Sequence, residues 1–333
     1  MPQLSWIGLG NMGRIEALIS VRACGPTRAD ISVQGMIRNI VAKANLEAPP
    51  VVFNRSVQRS EELQTSLGGP DKLSIAGSIE DAVSQSDVIF TSLAGDASVV
   101  EVIDKALGCP NGVKDKLFVE TSTILPSTTN ALAEKVRSAG GEFVAAPVFG
   151  APAMADSGKL VVVLAGPSAA VDRVTPYCEG IIGRATIILR DRDPGTATLL
   201  KVTGNTFVLA MVEALAEGHV FAEKSGLGPH VLHSFIEAMF PGPVTAYSAR
   251  MMGGDYMRDQ PLFSVDLARK DANHALNLAE GAGVDLKIVK VVRAHLEELR
   301  TEAGPTGDLP GQLTMCPRIY GVVRKESGLD FSN

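Results

Sequence analysis

Several residue clusters along this 333-residue chain have the types and spacing to do chemistry. The first is Gly8-Leu9-Gly10-Asn11-Met12-Gly13, directly after the apolar run Leu4-Ser5-Trp6-Ile7. A strand followed by such glycines turns tightly and presents backbone N–H groups to a pyrophosphate. The second is Asn54-Arg55-Ser56, closing the apolar run Val51-Val52-Phe53. An NAD site usually places Asp or Glu at that strand end for the ribose 2′-hydroxyl, whereas an arginine suits a 2′-phosphate. Together they predict a dinucleotide site that favours NADP(H) over NAD.

The third cluster is Lys201-Val202-Thr203-Gly204-Asn205. On a helix Lys201 and Asn205 stand at i and i+4 and share a face, so an ammonium and an amide could reach one substrate oxygen. Acid–base work at neutral pH requires the lysine pKa to fall from about 10.4 through burial or nearby positive charge. Leu199, Leu200, Val202, Phe207 and Val208 are apolar enough to provide burial. Taken alone, the same pattern also describes a solvated lysine on an ordinary helix. Glu120-Thr121-Ser122-Thr123 ends another strand, where a parallel sheet opens toward ligands. Ala146-Pro147-Val148-Phe149-Gly150-Ala151-Pro152 is a turn after a further strand. Singly, these two are equally compatible with ordinary loop and capping chemistry.

The elements that must position these residues alternate strand and helix in the first part, the pattern of a mostly parallel sheet covered by helices. Strands are expected at 4–7, 51–53, 74–76, 88–93, 117–120, 143–146, 160–165 and 186–189. Helices are expected at 56–67, 78–84 and 127–139, each opened by a serine suited to N-capping. After Pro194-Gly195 the texture becomes helical: 196–224, 231–238, 262–281 and 286–300. The expected organisation is therefore a Rossmann-type domain over 1–192 and an all-helical domain over 193–333. The long helix at 196–224 is apolar nearly all round, which requires burial by other helices of the same or a second subunit.

One stretch interrupts this order. Asn54 stands about twice as far from the glycines as the roughly 20 residues usual in such a fingerprint. The excess is residues 15–34, which contain the helix-breaking pair Gly25-Pro26. Removing it would join Gly13-Arg14 to an amphipathic helix carrying Met36, Ile37, Ile40, Val41 and Ala44 on one side. Either the stretch is a genuine extra helix, with Ile15, Leu18, Ile19 and Arg22 at helical spacing, or it is translated from an unremoved intron or a mis-set gene boundary.

Bulk properties narrow the function class. The formal net charge is -6, with 45% hydrophobic and 20% charged residues. No Lys/Arg cluster forms a phosphate-binding stripe, so nucleic acid is not expected as a partner. The four cysteines are far apart, with no C-x-x-C or Cys/His spacing, so neither disulfides nor a metal site is expected. A reducing, cytoplasmic setting fits. The N terminus shows no signal-peptide pattern, and the longest apolar run, 160–165, is too short for a bilayer.

In this order and at these distances, the clusters resemble the β-hydroxyacid dehydrogenase family, which includes 3-hydroxyisobutyrate dehydrogenase and shares a cofactor domain with 6-phosphogluconate dehydrogenase. Gly158-Lys159-Leu160, Phe263 and Lys270-Asp271 add to the likeness, which covers nearly the whole chain apart from residues 15–34. The resemblance implies hydride transfer between a nicotinamide and a β-hydroxyacid or semialdehyde. It makes Lys201 the general acid/base and Asn205 the residue that binds substrate and orients that lysine. It places Ser122 and Thr123 beside substrate and nicotinamide, and Phe149 and Gly150 in the substrate loop. Gly8 to Gly13, Asn54, Arg55, Ser56, Leu93, Thr123, Phe263 and Lys270 fall to the cofactor. It further implies a homodimer or homotetramer with a small-molecule substrate and no metal. One departure stands out: relatives follow Pro-Val with Ser-Gly-Gly, the serine and next amide holding a carboxylate, whereas this chain has Phe149-Gly150-Ala151. That replacement points to a larger, less polar carbonyl. Imine reductases on the same scaffold are the alternative enzyme class, and a non-catalytic NADP-binding protein is the alternative outside enzymes; retention of Lys201 and Asn205 argues against the latter.

Overall fold

A computed structural model describes residues 2–9, 31–253 and 263–303. Gly10, Asn11, Met12 and Gly13, and the stretch from 14 to 30, lie outside the described residues. The chain divides into two compact units, Met1–Lys201 and Val202–Asn333.

The first unit runs β1 (Leu4–Ile7), α1 (Ile31–Lys43), β2 (Val51–Phe53), α2 (Val57–Leu67), β3 (Ser74–Ile75), α3 (Ile79–Ser84), β4 (Val88–Thr91), α4 (Asp96–Leu107), β5 (Leu117–Glu120) and α5 (Pro126–Ser138). It continues through β6 (Glu142–Ala145), β7 (Val148–Phe149), α6 (Pro152–Asp156), β8 (Leu160–Gly166), α7 (Ser168–Val174) and β9 (Gly183–Arg190) into the start of α8 (Gly195–Lys224). Among the described residues the strands form one sheet in the order β3-β2-β1-β4-β5-β6-β8-β7, with β9 also paired to β8. From β3 to β6 the pairing is parallel, and β8 runs antiparallel to β6 and β7. This is the Rossmann order, with the direction of winding reversing between β1 and β4.

Strand residues with alternating direction feed two cores, one on each face of the sheet. Trp6 and Phe90 are register partners and stack at 4.9 Å between ring centroids, with Tyr177 edge-on to Phe90 at 6.1 Å. Ile7, Ile89 and Phe118 fill the opposite face against α3, α4 and α5. Met36, Ile37 and Ile40 of α1 are buried and Val41 and Ala44 pack at the edge, the side expected from their spacing. Helix α1 is fastened to α6 by Asn39, whose Nδ2 donates to the carbonyls of Gly35, Ala155 and Asp156 at 2.8, 2.8 and 3.0 Å.

Several local expectations need correction. Of the serines expected to cap helices, Ser78 does so, accepting from the Asp81 N–H at 3.0 Å. Ser56 stands at the cap position of α2 without a side-chain bond, and α5 opens on Pro126 with Leu125 in the cap position. Helix α4 has no counterpart among the expected helices, and its Val99, Val100, Val102 and Ile103 carry a strand preference. Burial of Val99, Ile103 and Ala106 overrides that preference. Strand β7 is two residues long and exists through its register with Val161 and Val162 of β8, which no local pattern announces.

The second unit contains the rest of α8, then α9 (Pro229–Met239), α10 (Pro243–Met252), α11 (Val265–Gly281) and α12 (Lys287–Ala303). No strand occurs among its described residues. Its core is built from Val202, Leu209, Val212 and Ala216 of α8 with Ala268, Ala272, Val292 and Leu296. Helix α10 has no counterpart among the expected helices; its Pro243 occupies the first turn, where the missing N–H costs nothing. The 30 residues of α8 are long and apolar enough to cross a bilayer. Core helices of soluble proteins pass the same measure.

The Asn39 linkage gives a direct test. Asn39→Ala removes the three hydrogen bonds that its amide gives to Gly35, Ala155 and Asp156 and is expected to cost about 1–3 kcal/mol, read as an earlier urea transition of the purified protein.

Candidate active site

Parallel strands bring the carboxyl ends of β1, β4 and β5 side by side: Ile7 pairs with Thr91, and Thr91 with Glu120. The residues immediately beyond each end form the mouth of the sheet. Gly8 has φ +94°, a region that disfavours any residue with a Cβ. A Cβ there would lie 2.4 Å from the Ser92 carbonyl oxygen and 2.8 Å from Leu93 Cδ2, so the first glycine turn sits directly on the loop after β4. Asn54 closes the turn from the other side. Its Oδ1 accepts from the Leu9 N–H at 2.9 Å and its Nδ2 donates to the Ser56 carbonyl at 3.0 Å. Arg55 and Ser56 are exposed at the end of β2. A tight glycine turn with no room for a side chain, beside an exposed guanidinium, fits a nicotinamide dinucleotide.

The end of β5 is buried throughout: Glu120, Thr121, Ser122 and Thr123 are all nearly inaccessible. Glu120 accepts from Thr91 Oγ1 at 2.6 Å and from the Ser122 N–H at 2.6 Å. Ser122 Oγ in turn accepts from the Leu93 N–H at 2.7 Å. Burial raises the Glu120 pKa to about 7; the bonds from Ser122 and Thr91 oppose the rise, and the Asp96 carboxylate adds to it. Among the expected site residues, Ser122 thus has its hydroxyl engaged within the sheet mouth, joined to Leu93. Glu120 belongs to the 120–123 motif, but its part in joining two loops depends on the β4–β5 register, which no local pattern carries.

Lys201 is the last residue of the first unit. The opening turns of α8 are held on α5 by Gly195 N–H to Asn130 Oδ1 at 2.7 Å and by a buried Thr129–Thr198 hydroxyl pair at 3.0 Å. These bonds set the rotation of α8, and Lys201 Nζ lies 4.4 Å from the centroid of the Phe149 ring. An ammonium over an aromatic face is attracted by the ring quadrupole. Phe149 is positioned by β7, and the neighbouring Gly150 has φ +144° with Leu160 Cδ2 2.6 Å from where a Cβ would stand. The expected lysine and the aberrant loop residue are therefore in contact.

In the second unit the buried Asn205 amide donates through Nδ2 to Asp271 Oδ2 at 2.7 Å, and Lys270 Nζ lies 3.4 Å from Asp271 Oδ1. Asp271 therefore links the expected Asn205 and Lys270 and fixes which way the amide faces. It was visible only as the neighbour of Lys270. Phe263 packs at the edge of the helical core. Among the described residues no group of three His, Cys, Asp or Glu side chains could hold a metal ion, and Cys109 and Cys178 are buried free thiols.

Comparison with known proteins bears on the family and the fold. The family model for the NAD-binding domain of 6-phosphogluconate dehydrogenase matches residues 34–188, and that for the NAD-binding region of NADP-dependent 3-hydroxyisobutyrate dehydrogenase matches 195–314. The first match leaves out Gly8 to Gly13 and nearly all of the stretch behind them. The NADH-dependent oxidoreductase ucdB of Aspergillus ustus is 35% identical over 298 residues, covering 89% of this chain and 97% of that protein. Mycobacterium tuberculosis 3-hydroxyisobutyrate dehydrogenase, solved with L-serine, has the same fold at TM-score 0.73 and 20% identity, covering 97% of this chain and 99% of that one. An imine reductase from Pseudomonas sp. follows at TM-score 0.57 and 19% identity, covering 97% and 99%. The chain accordingly belongs to the β-hydroxyacid dehydrogenase family of NAD(P)-dependent oxidoreductases acting on CH–OH groups.

Proposed function

We propose that the chain is an NADP(H)-preferring reductase or dehydrogenase of a semialdehyde or β-hydroxyacid-type substrate, with Lys201 as general acid/base. The observation that carries this reading is the Lys201 ammonium held over Phe149 on the loop after β6. Residues 1–192 serve the cofactor in this reading, and 193–333 serve substrate and assembly. The bound nicotinamide would supply or accept the hydride at the substrate carbon. In the reducing direction Lys201 gives its proton to the oxygen as negative charge develops there, and a fixed ammonium also stabilises that charge. Asn205, turned by Asp271, presents its carbonyl oxygen as an acceptor that can orient the lysine or a substrate hydroxyl.

Phe149 and the backbone N–H of Gly150 stand where relatives of the family hold a carboxylate with serine. A ring there supports a larger, less polar carbonyl substrate and narrows access for a small acid. The exposed Arg55 supports the NADP preference, while the NADH dependence in the name of ucdB makes NAD the competing choice. Exposed apolar side chains on α8, with Phe207 at 74% and Phe221 at 71%, support a homodimer or homotetramer that covers them. The widely spaced thiols support a cytoplasmic location.

Three outcomes test this reading. Lys201→Met should lower kcat by about 10²–10⁴-fold while NADPH affinity, measured by fluorescence titration, is retained. Arg55→Ala should reduce the preference for NADPH over NADH in kcat/KM by about tenfold; equal use of both cofactors by the unaltered enzyme would remove the NADP assignment. In a panel of aldehydes, hydroxyacids and imines, Phe149→Ser should raise kcat/KM for small carboxylate-bearing semialdehydes and lower it for bulky carbonyls. Turnover of imines or amines alone would assign the chain to imine reduction.

A further inference from the structure

We propose that Glu120 is a positioning residue: its carboxylate fastens the loops after β4 and β5 together in the arrangement that receives the nicotinamide half of the cofactor. The inference rests on the family's use of a nicotinamide cofactor and adds a group that acts on the site through other residues.

The geometry is a relay across two strand ends. The Leu93 N–H donates to Ser122 Oγ, Ser122 donates through its backbone N–H and also bonds Glu120 through its hydroxyl, and Thr91 Oγ1 donates to Glu120 from the neighbouring strand. Thr121 Oγ1 closes the same seam by donating to the Thr91 carbonyl at 2.7 Å. Asp96 Oδ1 ties the start of α4 to the Leu125 N–H at 3.0 Å, so a second carboxylate braces the same pair of loops. The first glycine turn rests on this assembly, because a Cβ on Gly8 would strike Ser92 and Leu93.

A fully buried carboxylate in this position is chemically consequential. Ionised, Glu120 accepts every bond that the loops offer. Protonated, it must donate one O–H, and either the Thr91 or the Ser122 hydroxyl has to turn away to receive it. The group's ordinary pKa of 4.5 is raised to about 7 by burial, so both forms are populated in the neutral range. The charged group acting on it is Asp96 on α4; its in-register neighbours, Thr91 on β4 and Ala145 on β6, do not titrate there. By linkage, the folded protein holds this proton more tightly than the unfolded chain. Glu120 therefore contributes stability that is full below pH 4.5 and is lost as pH rises through about 7. Loop order moves the opposite way, improving as the carboxylate forms. A purely structural role predicts only the first of these two trends.

The test compares binding of NADPH with binding of 2′-phosphoadenosine 5′-diphosphoribose, which carries the same phosphates but no nicotinamide. Both are titrated by fluorescence or calorimetry against the full-length wild type, Glu120→Gln and Glu120→Asp, on either side of neutral pH. In the wild type the ratio of NADPH to fragment affinity should rise by about fivefold as pH passes upward through the neutral range. In Glu120→Gln, which mimics the protonated acid, the ratio should stay at its low-pH value at every pH. Glu120→Asp keeps the charge and should recover part of the pH dependence. A wild-type ratio that is flat with pH, or a Glu120→Gln ratio that follows the wild type, overturns the proposal. Failure of the wild type to bind either ligand overturns the cofactor reading itself. If Glu120→Gln does not fold, the wild-type ratio and Thr91→Val, which should lower the NADPH ratio at high pH while leaving the fragment unchanged, decide the matter.

Discussion

The parallel register of β1, β4 and β5 is the constraint from which the rest of the cofactor unit follows. It places Ile7, Thr91 and Glu120 in one row, so the residues one step further emerge together at the carboxyl edge of the sheet. Peptide groups leaving a parallel sheet lose their ladder partners and need replacements. The chain supplies them from side chains: Asn54 for Leu9, Ser122 for Leu93 and Glu120 for Ser122. The mouth of the sheet is thus a closed polar network in which each loop is held by the next. The donors around the buried carboxyl offset part of its desolvation, which still raises its pKa.

A different principle positions Lys201, the proposed proton donor. Lys201 is carried on a rigid helix whose first turn is locked by Gly195, Thr198 and their partners on α5, and its ammonium rests on an aromatic ring. Phe149 puts an aromatic surface beside the same lysine.

The helical unit is organised by burial on one side of each helix and by a few polar contacts within its interior, of which Asn205–Asp271 bears most directly on the site. Phe207 and Phe221 of α8 are largely exposed.

The sequence by itself determined the fold class, because continuous apolar runs alternating with amphipathic helices admit few arrangements, and it picked out the residue types of the site through short motifs such as the 8–13 glycines and Lys201 with Asn205. It also flagged residues 15–34 as out of pattern, and of these 31–34 lie in α1 while 15–30 fall outside the described residues. Local signals failed where non-local contact decides: β7 exists through its pairing with β8, α4 forms against the strand preference of its valines, and Ser56 and Ser127 do not cap. Only the tertiary structure decided that Glu120 joins two loops, that Asp271 turns Asn205 and that Phe149 lies under Lys201. Those roles depend on which strand ends and helix faces meet, and residues far apart in the chain carry no mark of it until register and packing bring them within hydrogen-bonding distance.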